Sequence, residues 1–269
     1  MRVALLTNPR SERVRGVASL RRRAVRARRG RFVVEGPHAV RELMSYAGSE
    51  VLEAYLTADA WAAHPDLARL GHEHGVPLYE CTDQVLEVMG EAAHPQGVLA
   101  VARPVDVTAQ SAVGAIGDGF VVVLSHVRDP GNAGTVIRAA DAFGAAAVLI
   151  SSESVDVYNP KVVRSTAGSL FHLPVSVGTE VQEIIDLLRE AGVALWAADG
   201  SGPTSLPQAD LSGPHAWLLG NEAWGLPEDV QAACDEAVSV PIVGHAESLN
   251  LAMAATVCLH ASSMARGAG

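Results

Sequence analysis

Phe120-Val121-Val122-Val123-Leu124 is an unbroken apolar run that leads straight into Ser125–Gly134, SHVRDPGNAG. An uninterrupted apolar strand is the pattern of a parallel sheet covered on both faces. Downstream, the spacing predicts helix 135–143, strand 146–150, helix 160–170, strand 174–177, helix 181–191, and strands 193–198 and 216–219. A short helix after Pro227, strand 237–240 and a last helix 249–264 complete this half. Strands alternating with helices make an α/β fold with a mostly parallel sheet. Upstream, residues 11–29 read as a helix, with Ser11 as its N-cap and Gly30 as its stop. Strand 31–35, helix 38–46, and strands 51–57, 76–79 and 97–102 with helix 83–89 make a smaller α/β unit. Residues 104 to 119 lack periodicity and read as the joint. The expected division is 1–103, a linker 104–118, and 119–269.

The 269 residues are 49% apolar and 19% charged, which supplies a core and excludes disordered or collagen-like classes. Runs such as 145–150 are far short of the roughly 20 apolar residues that span a bilayer. Residues 1–6 are too short for a signal-peptide core, so a cytoplasmic location is expected. Cys81, Cys234 and Cys258 form no CxxC pair, and no disulfide framework or zinc knuckle follows from them.

Charge is distributed unevenly. The formal net charge is −10, yet residues 1–31 hold 11 of the 20 basic residues and one acid, Glu12. The rest of the chain is strongly acidic. A basic arm on an acidic body points to a polyanion partner. Arg22, Arg23 and Arg26 sit in the densest part of that arm. Nineteen of the basic residues are arginine, so residue type reflects composition and only the clustering is informative.

Ligands in open α/β sheets sit where loops leave the carboxyl ends of strands. Three such loops have unusual content. Residues 129–134, DPGNAG, combine two glycines with Asn132 and precede Arg138. A glycine loop feeding a helix N-terminus favours anions, but the spacing is not G-x-G-x-x-G, which disfavours a dinucleotide site. Residues 220–225, GNEAWG, hold Glu222 between glycines. Residues 241–250 end in Ser248-Leu249-Asn250 at the start of an apolar helix, where N-capping is the ordinary role.

Taken together and in this order, NxGxxxR at 132–138, GNExxG at 220–225 and PxxxxxxSLN at 241–250 resemble the three motifs of the SpoU (TrmH-type) RNA ribose 2′-O-methyltransferases of the SPOUT class. Arg164, Ser165 and Gly168 also lie in a stretch resembling that family, and RFVVEGPHAVREL, 31–43, is similar to the RNA-binding domain joined to it. The resemblance implies an enzyme that uses S-adenosylmethionine, with a trefoil knot in its C-terminal domain, working as a homodimer. Gly220, Val240, Ile242 and Leu249 would contact the cofactor. Glu222, Ser248 and Asn250 would shape and brace the site, and Asn132 and Arg138 would face the reacting ribose. Arg22, Arg23, Arg26, Arg138 and Arg164 would hold RNA. The implied substrate is large-subunit ribosomal RNA. The alternatives are transfer RNA, or a catalytically inactive RNA-binding ribosome-assembly factor on the same fold.

The chemistry is consistent with these groups. A guanidinium stays protonated in nearly every protein, so Arg138 is better suited to bind phosphate and stabilise a developing alkoxide than to act as a base. His72 and His74, with His64 nearby, lack an acid or thiol at matching spacing, and no metal is expected. His126 and His245 lie close to the motif loops, with packing or RNA contact ranked above a general-base role.

Overall fold

The computed structural model describes residues 3–267, and side chains from Leu5 to Gly267. The chain divides into two compact units. The first comprises residues up to 105 together with 158–172; the second comprises 106–157 and 173 onward.

Five strands form the sheet of the first unit: β1 (Val3–Leu6), β2 (Phe32–Glu35), β3 (Val51–Leu56), β4 (Leu78–Cys81) and β5 (Val98–Ala102). Their order is β1-β4-β3-β5-β2, with β5 antiparallel to both its neighbours. Val14, Val17 and Leu20 pack with Val33, Tyr55, Val85, Leu86, Met89, Leu99 and Val101 to make its core. Strand β1 was not anticipated, because four residues at a chain start carry little period.

The expected helix 11–29 is broken. It runs as Glu12–Ala18, a 3₁₀ turn Ser19–Arg21, then Arg23–Arg29, with Arg22 extended between them. Ser11 accepts from Val14 N, and Gly30 ends the run in a left-handed conformation at φ 56°, as the sequence predicts. The break lets Leu20 turn into the core, and Arg26 fills the gap it leaves. Its guanidinium donates to Leu20 O at 2.9 Å and Arg21 O at 2.7 Å, satisfying carbonyls that the interrupted helix orphans.

The segment 158–172 lies between two strands of the second unit in sequence but belongs to the first. Its helix is Pro160–Ser165, followed by a 3₁₀ turn Ser169–Phe171, where a helix to residue 170 was expected. Arg164 Nη1 meets Glu35 Oε1 at 3.0 Å, His172 Nε2 lies 3.0 Å from Glu42 Oε2, and the Tyr158 ring centroid is 4.5 Å from that of Phe32.

The second unit is built on seven parallel strands: β6 (Phe120–Leu124), β7 (Ala147–Ser151), β8 (Val175–Thr179), β9 (Ala194–Ala198), β10 (Thr204–Ser205), β11 (His215–Leu219) and β12 (Glu236–Ser239). They are ordered β10-β12-β9-β11-β6-β7-β8. Every residue of β6 is buried, as its composition demands. Val121 and Val123 pack with Leu149, Leu195, Leu218, Ile184, Ile185 and Leu188 on one face, and each such side chain contributes roughly 1.5–3 kcal/mol relative to exposure. Trp217 and its neighbours on the opposite face meet helix Leu251–Gly267, where Trp217 Nε1 donates to Ser262 Oγ at 2.9 Å. Residues 104–119 are not wholly irregular, because Thr108 caps a helix Ala109–Gly114 that packs into this core.

The chain leaves β6 toward β7 and β8 on one side, and β11 and β9 lie on the other. The order reverses between β6 and β11, the place where open α/β sheets hold ligands.

Candidate active site

The loops after β6 and β11 emerge side by side at that reversal. The helix after β6 begins at Pro130, five residues earlier than the glycines and proline led the sequence reading to expect. Proline at the first helical position lacks only an N–H that has no partner there anyway, and Asp129 Oδ1 accepts from Asn132 N at 2.8 Å as the N-cap. Asn132 therefore stands in the first helical turn. Arg138 lies six residues on, about 9 Å further along the axis, in place of the first-turn position expected.

After β11 the chain makes a tight turn. Asn221 and Gly225 exchange backbone hydrogen bonds of 2.7 and 2.9 Å, and Gly225 sits at φ 78°. A Cβ on Gly220 would overlap the backbone of Gly225 and Leu226, so only glycine lets the turn close against the strand end. The turn directs Glu222 toward the neighbouring loop. Glu222 Oε1 accepts from Asp129 N and Asn132 Nδ2, each at 3.1 Å, and Oε2 accepts from Arg128 N at 3.3 Å. Burial acts to raise this carboxyl, but the hydrogen bonds it accepts from its own backbone, Asn132, Asp129 and Arg128 outweigh that and hold it below the ordinary glutamate value.

The third loop completes the cluster. Asn250 Nδ2 donates to Asn132 Oδ1 at 3.1 Å. Its own Oδ1 accepts from Ala252 N at 2.9 Å and Met253 N at 3.4 Å, so Asn250, rather than Ser248, caps the last helix. That helix accordingly starts at Leu251 and not at 249. Asn132 thus has its amide nitrogen on Glu222 and its oxygen on Asn250, which fixes which way the amide faces.

Val240, Ile242, Ser248 and Leu249 line a cleft beside this cluster, together with Leu219, Asn221, Glu222, Val238, Glu247 and Leu251. Gly220 lies between two of its lining residues. Asp199 also borders the cleft, and the sequence reading missed it. It follows the end of β9 in a short Asp-Gly-Ser-Gly loop, so the strand-end rule applied to that strand would have found it. Hydrogen bonds from Ser201 at 2.8 Å and Gln231 at 2.7 Å hold its carboxyl below the usual aspartate value. Apolar walls flanked by the carboxylates of Asp199 and Glu222 suit a ligand with an apolar portion, hydroxyls and positive charge.

The arginines separate. Arg138 and Arg128 are exposed in the second unit, and neither guanidinium has a partner among the described residues. Arg22 and Arg23 are exposed in the first unit, and neither guanidinium has a partner among the described residues. Arg26 is a correction: it is 6% exposed and spent on backbone carbonyls, so it cannot reach RNA. Arg164 is bonded to Glu35 and lines a pocket made of first-unit residues. Burial pushes the thiols of Cys81, Cys234 and Cys258 up to about 12, which leaves them protonated. Among the described residues no group of three or more His, Cys, Asp or Glu could hold a metal ion, and no helix is long and apolar enough to cross a membrane.

Comparison with known proteins places the chain. Residues 119–260 match the SpoU rRNA Methylase family, and residues 11–100 match the MRM3-like substrate binding domain. The chain belongs to the SpoU rRNA methylase family. It is 29% identical over 258 residues to the 23S rRNA (guanosine(2553)-2′-O)-methyltransferase RlmP of Bacillus subtilis, covering 95% of this chain and 97% of that protein. The SpoU methyltransferase AviRb from Streptomyces viridochromogenes, solved in complex with AdoMet, superposes with a TM-score of 0.82 at 32% identity, over 97% of this chain and all of the other. An AdoMet-bound rRNA methyltransferase from Sinorhizobium meliloti gives a TM-score of 0.85 at 26% identity, over 97% of both chains.

Proposed function

We propose that this protein methylates a ribose 2′-hydroxyl of large-subunit ribosomal RNA, using S-adenosylmethionine. The observation that carries the reading is the hydrogen-bonded series Asn250–Asn132–Glu222, which draws three loops from distant parts of the chain to one strand-end cluster beside a cleft. Relatives named as 23S rRNA 2′-O-methyltransferases support the substrate and the reaction.

The cleft of Val240, Ile242 and Leu249, closed by the Gly220 turn, would hold the cofactor, which supplies a methyl group already electrophilic on its sulfonium. The protein's work is then to place and activate an oxygen. Holding the hydroxyl within about 3–3.5 Å of its target supplies several kcal/mol of the barrier. Arg138, exposed and without a partner among the described residues, binds the neighbouring phosphate and stabilises alkoxide charge as the hydroxyl proton leaves to phosphate or water. Glu222, Asn132 and Asn250 keep the loops in register, and Ser248 shapes the cleft wall. Arg22 and Arg23 hold RNA phosphates on the front unit, residues up to 105 with 158–172.

Two further features belong to this reading. The chain between β11 and the last helix would thread as a trefoil knot. The protein would work as a cytoplasmic homodimer, supported by an apolar stripe of Met253, Val257 and Met264, 61%, 40% and 55% exposed on one side of helix Leu251–Gly267.

The test is transfer of labelled methyl from S-adenosylmethionine to purified ribosomal and transfer RNA fractions. Label is expected in large-subunit RNA and lost in Arg138→Ala. Arg138→Lys is expected to lower kcat and not merely raise KM for RNA; retention of most of kcat would remove the guanidinium from the chemistry. Label confined to transfer RNA would change the substrate, and cofactor binding without label would favour an inactive RNA-binding protein.

A further inference from the structure

Trp224 is the large aromatic side chain that the protein leaves most exposed at its strand-end cluster, at 54%. It does not hang on a loose loop. The Asn221–Gly225 turn is closed by two reciprocal backbone hydrogen bonds, and Asn221 Oδ1 accepts from Ala223 N at 2.9 Å inside it. Asn221 Nδ2 also donates to His126 O at 2.9 Å, tying the turn to the loop after β6.

His126 is the second observation. It is not glycine, yet it sits at φ 59°, a left-handed conformation that costs a residue with a Cβ about 1 kcal/mol or more. The surroundings hold it there from several sides. Its N–H donates to Ser151 Oγ at 3.3 Å, its carbonyl accepts from Asn221, and its Nδ1 lies 3.0 Å from Ser125 Oγ. The effect is to present the imidazole to the Trp224 indole at a centroid distance of 5.4 Å and an interplanar angle of 67°. An edge-to-face contact props the indole and leaves area on it for another ring.

The neighbourhood is polar and carries charge of both signs. Arg128, two residues from His126, has its backbone N–H fixed by Glu222 and its exposed guanidinium unpaired among the described residues. A supported, exposed indole and an exposed guanidinium on the loop bonded to its turn make the combination that binds single-stranded nucleic acid: stacking for a base and charge for its phosphate.

We infer that Trp224 is a stacking platform for an unpaired nucleobase of the RNA substrate, with Arg128 on the adjoining phosphate. This rests on the methyltransferase reading for the identity of the RNA but not for the contact itself. Every base has a π-face, so the platform holds the strand without choosing the sequence.

The experiment compares wild type, Trp224→Ala and Trp224→Phe with purified large-subunit ribosomal RNA. Trp224→Ala is expected to raise KM for RNA about tenfold and to change kcat less. Trp224→Phe is expected to stay within about threefold of wild type, since phenylalanine still stacks. RNA should quench the intrinsic tryptophan fluorescence of wild type, and that quenching should vanish in Trp224→Phe although binding persists. Cofactor affinity by calorimetry should remain within about twofold in both variants, which shows the turn to be intact. An unchanged KM in Trp224→Ala, quenching that survives in Trp224→Phe, or a dimer lost in Trp224→Ala would each overturn the platform. Wild-type protein that transfers no methyl while its fluorescence is still quenched through Trp224 would instead refute the proposed reaction and leave the platform standing.

Discussion

Asn250 donates from its side-chain amide to Asn132 Oδ1 at 3.1 Å, joining residues 118 apart in the chain. Each of the two is also a helix-start residue, Asn250 as the cap of Leu251–Gly267 and Asn132 in the first turn of Pro130–Ala142. The bond therefore sets two helix N-termini against each other at one strand-end site, with Glu222 as the carboxylate that holds the first of them.

The Gly220 turn is the least tolerant point of that arrangement. Gly220→Ala must displace backbone at Gly225 and Leu226, with no flexible side chain to give way. A loss of roughly 2 kcal/mol or more of stability is expected. Calorimetry with S-adenosylmethionine should show binding abolished or weakened at least tenfold, alongside a lowered Tm. Wild-type binding in this variant would mean the turn is free to relax.

The arginine arm makes two opposite predictions. Arg22→Ala with Arg23→Ala should leave Tm unchanged and weaken RNA binding, with a shallower dependence of affinity on salt. Arg26→Ala should do the reverse, because it strips the hydrogen-bond donor from the buried carbonyl of Leu20 and the part-buried carbonyl of Arg21. Its expected cost is about 1–3 kcal/mol in urea unfolding. Equal effects of all three on RNA affinity would refute the division.

His215 links stability to pH. It is 1% exposed, with Nδ1 2.8 Å from Gly213 O and Nε2 2.7 Å from Ser262 Oγ. Burial depresses the imidazole below its ordinary value, and Arg266 adds to that, against the opposing pull of Gly213 O and Asp210. The unfolded chain therefore takes up this proton first as pH falls through about 6.5, and stability is lost below that point by up to about 1.4 kcal/mol per pH unit. Urea midpoints from about pH 8 to about pH 5 should show the decline. Relative to wild type, His215→Gln should have a flatter profile despite lower stability at neutral pH.

The apolar stripe of the last helix tests the dimer. Met253→Glu with Val257→Glu changes exposed positions only, so Tm of the protomer should hold within about 1 kcal/mol equivalent. Light scattering should report a monomer where wild type is a dimer. A wild-type protein that is itself monomeric, or a double variant that remains dimeric, would remove this helix from any interface.

What the sequence by itself determined is local. The five apolar residues of β6 could only be a doubly covered strand, the strand–helix alternation after it pointed to a mostly parallel sheet, and Ser11 and Gly30 announced helix ends through a side chain and through backbone freedom. Three glycine- and asparagine-bearing loops at strand ends were legible as a set. Tertiary structure decided the rest, because it depends on groups far apart in the chain. Nothing in the run from residue 11 to 29 says that the helix breaks so that Leu20 can reach the core, or that Arg26 must then be buried to serve the freed carbonyls. Nor does the order of residues place 158–172 with the first unit, where Arg164 meets Glu35. Of Ser248 and Asn250, both open to N-capping from sequence, Asn250 caps the last helix with its oxygen and reaches Asn132 with its nitrogen, a pairing that depends on the distance between two loops.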